Sequence, residues 1–157
     1  MITMKRRLLL QMSGLSAVVA LTAERAAAQQ AVIQTQDSNY AGIVAELTEC
    51  RRADGVLNIR VRLRNTSDKE TQMTLVSNGN YDTSYVTAAN KKYLILRDSA
   101  KTPLAPAVDP SNSVYAFVKK GGVYTWWAKY PAPPPDVKKV NYVTQFAPPF
   151  EDVPITD

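Results

Sequence analysis

Cys50 is the only thiol in the 157 residues, and Arg51 and Arg52 follow it directly. Their positive charge would favour the thiolate if the sulfur were accessible, giving a nucleophile or a partner for an intermolecular disulfide and hence a dimer. The competing reading is a small buried apolar residue, and cysteine is among the most buried types. Burial is favoured here, although Cys50 shares strand parity with the polar Glu46 and Thr48. Beyond this thiol most catalytic chemistry is missing. The chain has no histidine, which excludes Ser-His-Asp and Cys-His machinery, histidine-ligated zinc or copper, and histidine-bound haem. No Asp-x-Asp-x-Asp-Gly loop gathers the oxygens calcium needs. Asp82-Thr83-Ser84 begins like an aspartic-protease turn, but its third residue is wrong and its chemistry is that of an ordinary turn.

Paired carboxylates fare no better. Glu46 and Glu49 fall on opposite faces of a strand, and the adjacent Glu151 and Asp152 diverge when extended, so neither pair converges on a substrate by spacing. No metal site, cofactor or catalytic residue is expected. The positive hint of binding lies in the aromatic run Val123 to Tyr130. Tyr124, Trp126, Ala128 and Tyr130 share one face and Val123, Thr125, Trp127 and Lys129 the other. The first set is the more apolar and is assigned to the core. Trp127 then sits on the outer face beside Lys129, where it could stack on a sugar or anchor a partner, unless Pro131 to Pro135 folds back over it. That covering is the expected outcome.

The elements that position these residues are strands. Leu57, Ile59, Val61 and Leu63 alternate with Asn58, Arg60, Arg62 and Arg64, the pattern of a half-buried antiparallel strand with a solvated arginine face. Ala41 to Thr48 alternates likewise, and Ala53-Asp54-Gly55 turns one strand into the other. Further strands are expected at Thr71 to Ser77, Tyr81 to Val86, Tyr93 to Arg97, Val114 to Lys119, Val123 to Tyr130 and Val140 to Phe146. Turn chemistry separates them at Asn78-Gly79-Asn80, Ala89 to Lys92 and Lys120-Gly121-Gly122. About eight short strands with no helical stretch predict a two-sheet β-sandwich. Pro131 to Pro135 cannot donate ladder hydrogen bonds and is expected to cross between the sheets. Its PxxP spacing carries little weight as a peptide ligand in an exported chain.

The N-terminus sets the compartment. Lys5, Arg6 and Arg7, the apolar run Leu8 to Leu21 and the small residues Ala26-Ala27-Ala28 form the pattern of a cleavable export signal over residues 1–28. The apolar run is too short and too interrupted for a membrane anchor. Arg6-Arg7 also fits a twin-arginine route, which is left open beside the general one. Cleavage would remove Lys5, Arg6, Arg7, Arg25 and Glu24, so 19 basic and 14 acidic residues become 15 and 13, a formal charge of +2. That small excess argues against nucleic acid as a partner. Residues 29–38 are polar and expected to be a disordered linker. Residues 39–157 are long enough for one domain with its own core.

The C-terminal half resembles a known kind of domain. Asn90-Lys91-Lys92-Tyr93-Leu94-Ile95-Leu96-Arg97-Asp98, Trp127-Ala128-Lys129-Tyr130-Pro131-Ala132-Pro133-Pro134, Val137-Lys138-Lys139-Val140 and Ala147-Pro148-Pro149-Phe150-Glu151-Asp152-Val153-Pro154-Ile155 resemble an exported bacterial immunoglobulin-like domain. That domain is found ahead of OmpA-type peptidoglycan-binding domains, and the resemblance spans roughly residues 41–155. It implies an immunoglobulin-like sandwich of about seven to eight strands in a non-catalytic envelope module. Members often carry two close cysteines after the Arg-Asp segment, where this chain has Pro103-Leu104-Ala105-Pro106, and the OmpA-type domain itself is absent from these residues.

The expected role is therefore periplasmic or extracellular contact with an envelope protein or cell-wall polymer, by a chain that is monomeric unless Cys50 pairs. Trp127, Lys129, Phe150, Glu151 and Asp152 are the candidate contact residues. A carbohydrate-binding or, less favoured, carbohydrate-cleaving protein using outer-face aromatics and carboxylates is the alternative. Phe146 to Ile155 is expected to dock on the sandwich with Phe150 over the core edge, because a free tail has little reason to carry three large apolar residues.

Overall fold

A computed structural model describes residues 31–157. The export signal expected at residues 1–28 lies outside them. The described chain is an all-β sandwich of ten strands joined by antiparallel pairing. One layer is ordered β1-β2-β3-β8, comprising Gln34–Asp37, Ile43–Ala53, Val56–Asn65 and Val123–Pro131. The other is ordered β10-β9-β5-β6, comprising Phe150–Pro154, Lys139–Val143, Tyr85–Ala88 and Lys91–Leu94. A ribbon of β4 (Thr71–Val76) and β7 (Val114–Val118) completes the fold. No helix among the described residues is long and apolar enough to cross a membrane.

The alternation in β3 does what its period requires. Leu57, Ile59, Val61 and Leu63 are buried, and they meet Trp126, Ala128 and Tyr130 of β8, which are buried as well. Val86, Val140, Tyr142, Phe150 and Val153 fill the core from the second layer, and Met73, Leu75, Ala116 and Val118 from the ribbon. At the centre the Trp126 ring lies edge-on to Phe146 at 5.8 Å. The Trp126 indole N–H donates to the Tyr142 hydroxyl at 2.7 Å. Asp54 and Gly55, both at positive φ, form the two-residue turn whose twist suits the β2–β3 hairpin.

Several boundaries differ from the sequence reading. Residues 34–37 of the expected disordered linker form β1, an edge strand along β2. The side chains of Gln34 and Gln36 extend from it to the Glu151 and Pro149 carbonyls. A strand held by backbone bonds needs no apolar alternation, so the polar sequence concealed it. Tyr81–Thr83 is a short 3-10 turn rather than the start of a strand, and β5 begins at Tyr85. Ala89 and Asn90 alone make the following turn, both at positive φ, so Lys91 and Lys92 belong to β6. The closing segment docks as expected: β10 pairs with β9, and Phe150 and Val153 are fully buried.

A β-bulge decides the fate of Cys50. Leu47 pairs with Val61 but Glu49 pairs with Arg60, so Thr48 is the extra residue and the parity of β2 reverses beyond it. Cys50 thereby turns inward opposite Ile59 and Arg52 follows the same parity. The Arg52 guanidinium donates to the carbonyls of Pro133 (3.0 Å) and Pro134 (2.7 Å) and to the Asp157 carboxylate (2.7 Å). The proline crossover from β8 to β9 and the chain end are thus tied to one side chain.

Candidate functional site

The outer face of the β1-β2-β3-β8 layer gathers the sequence-nominated Trp127 and Lys129 with a row of arginines. Arg60, Arg62 and Arg64 alternate along β3, with Glu46 and Glu49 beside them on β2. These two acids point the same way because the bulge lies between them, which corrects the expectation that they diverge. Glu46 accepts from Arg62 Nε at 3.1 Å through one carboxylate oxygen and from Arg64 Nε at 2.9 Å through the other. Glu49 lies 3.5 Å from Arg60 and 3.7 Å from Arg51. Each carboxylate is shared between two guanidiniums, so each cluster retains one positive charge, and Lys129 adds another.

Glu46 is only 6% exposed. Burial pushes its pKa up, but the hydrogen bonds and charges of Arg62 and Arg64 outweigh burial and hold it below the ordinary 4.5. A depressed carboxylate pKa contributes stability that is present above the unfolded value and lost as pH falls through the folded one. Stability measured by urea unfolding should therefore drop between about pH 5 and the depressed Glu46 value. E46Q should flatten part of that slope, and an unchanged slope would remove Glu46 as its source. Arg62, expected on a merely solvated face, is instead a structural partner of this buried acid.

Trp127 stands directly opposite Arg60 in the β3–β8 register and is 39% exposed. The proline segment does not cover it as expected, because Arg52 draws those carbonyls toward the far end of β2. Val123, also exposed, continues the apolar side of this face. Trp127, Lys129 and the arginines can offer stacking, charge-assisted hydrogen bonds and positive potential, while Glu46 and Glu49 are held by arginines and Asp37, on the same face, lies apart from them on the β1 edge.

The remaining nominated residues lie elsewhere. Phe150 is fully buried and stacks with Tyr142 at 6.2 Å, so it is a core residue and not a contact residue. Glu151 and Asp152 are exposed at a bulge in β10, where Asp152 has φ 50° and its N–H is held by the Asn141 side chain at 2.9 Å. Cys50 is 1% exposed. Burial pushes its thiol pKa up to about 12 despite Arg52 nearby, which removes the reactive thiol and the disulfide dimer from the folded chain.

Two surface features escaped the sequence reading. A shallow open depression of about 370 Å³ is lined by residues 87–92 and Asn141, and Asp152 and Lys139 line a smaller one sharing that wall. Lys92 Nζ lies 3.8 Å above the Tyr85 ring at this end of the layer. On β7, Phe117 is 59% exposed and Tyr115 lies 6.5 Å away at an angle of 48°. The alternation of β7 could have placed that pair, but the depression depends on pairing between distant strands. Compared with family models, curated proteins and solved structures, the chain matches none of them.

Proposed function

We propose that this chain is a non-catalytic contact module of the immunoglobulin-like kind, exported to the cell envelope, which binds an envelope protein or cell-wall polymer through the outer face of its β1-β2-β3-β8 layer. The observation that carries this reading is the exposed Trp127 opposite Arg60, on a face where Glu46 and Glu49 are each shared between two arginines. Tryptophan and arginine dominate binding energies because they bury large area while forming directed contacts. The face keeps excess positive charge, which suits an anionic partner. Export rests on the signal pattern in residues 1–28, and the immunoglobulin-like assignment on the resemblance of the C-terminal half.

Carbohydrate binding or cleavage would call for coplanar exposed aromatics beside convergent free acids. Tyr115 and Phe117 are tilted rather than coplanar. Glu46 and Glu49 are engaged by arginines, so the contact reading is preferred. The test is a cross-linking capture from the envelope fraction, with a glycan array beside it, comparing the mature protein with W127A. Loss of a central anchor should weaken capture by about tenfold or more while the fold persists. Equal capture by both proteins would remove this face as the contact surface.

A further inference from the structure

β8 closes one edge of its layer, and only part of that edge is occupied. The Lys129 N–H donates to the Leu104 carbonyl at 3.0 Å, and its carbonyl accepts from Leu96 N–H at 2.8 Å. Lys129 therefore directs its backbone groups away from β3. Val123, Thr125 and Trp127 share that parity, so their N–H and C=O groups also face outward. No hydrogen bond among the described residues meets those groups. All three residues are exposed, and no proline interrupts the stretch. Free edges are commonly protected by prolines, inward charges, bulges or covering loops; here the covering segment stops at Lys129.

We infer that the Val123–Trp127 edge accepts an extended acidic polypeptide segment as an added antiparallel strand. This rests on the contact reading above and specifies its partner class and binding mode. Strand addition would satisfy the outward groups of Val123, Thr125 and Trp127 by main-chain hydrogen bonds. An added strand lies about 4.8 Å from β8 and about twice that from β3. Carboxylates at its alternate outward positions would flank Trp127 beside Lys129 of β8, on a face where the arginines of β3 outnumber the acids they hold. Charge complementarity selects glutamate or aspartate at those positions. A second copy fits less well. Self-pairing would join two positively charged faces into one sheet, and with Val123 opposite Trp127 it would bring the partner's Gly121 against the segment already bonded to Lys129.

Amide hydrogen exchange followed by NMR on the mature protein tests this directly. The probes are a synthetic decapeptide alternating glutamate with valine and its lysine-valine counterpart. In the free protein Val123, Thr125 and Trp127 should exchange fast while Tyr124 and Trp126, bonded to β3, exchange slowly. The glutamate peptide should slow the three edge amides by at least about tenfold, and the lysine peptide should not. T125P removes a donor that faces away from β3, so the protein should keep its fold while losing the protection; T125V should retain both. If T125P does not fold, the exchange pattern of the unmodified protein decides. Slow edge amides in dilute free protein, protection that grows with protein concentration alone, or no protection by the glutamate peptide would each overturn strand addition. Envelope capture that falls in W127A but persists in T125P would do the same while leaving the contact face in place.

Discussion

A chain ending at Ala147 should lose about 3–6 kcal/mol of stability from the burial of Phe150 and Val153 alone, taking about 1.5–3 kcal/mol for each large apolar side chain. Both are fully buried. The deletion also removes the β10–β9 ladder, the backbone bonds linking Thr156 to Cys50 and Arg52, and the Asp157 carboxylate that Arg52 holds. Tyr142 would lose the Phe150 ring stacked against it, exposing the centre of the second layer. Urea unfolding of intact and truncated proteins measures the difference. Equal midpoints would show that the closing segment is an exposed peptide, and the partner search should then begin with it.

The second large effect is expected at Trp126. W126A should cost about 3–5 kcal/mol, because it empties a large volume at the centre of a close-packed core. It also removes the donor to the Tyr142 hydroxyl, a phenol whose pKa burial raises to about 12. Its neighbour on the opposite face supplies the control. W127A should cost clearly less, no more than about 2 kcal/mol, because Trp127 is 39% exposed and only the covered part of its ring contributes. Thermal or urea unfolding of the pair reads the contrast, and similar losses at the two sites would mean that the β8 register is wrong.

The contrast between adjacent tryptophans was legible in the sequence because alternation alone assigns residues to faces. The same argument placed Leu57 to Leu63 in the core, located most strands and predicted a sandwich. It also identified Trp127 and Lys129, and it anticipated that Phe150 would dock while Glu151 and Asp152 stayed in solvent. Three features were illegible for separate reasons. β1 is polar and is held by ladder bonds to β2, which leave no apolar period. The bulge at Thr48 depends on how β2 registers against β3, so it reversed the parity that had set the expected directions of Glu49 and Cys50. The turn expected at Ala89 to Lys92 is only two residues long, because Ala89 and Asn90 both take positive φ, and an alanine there gives little warning of so tight a turn.

By itself the sequence determined the period-two pattern, the faces of most strands, the absence of histidine chemistry and the presence of one outward tryptophan. These are properties of residue type and local spacing. Tertiary structure alone decided that Cys50 is inert, that Glu46 and Glu49 join the arginines of β3, that Arg52 clamps the proline crossover, and that β8 leaves part of its edge unpaired. Each depends on register and on contacts between residues far apart in the chain. A single displaced residue in a ladder reverses the direction of every side chain beyond it.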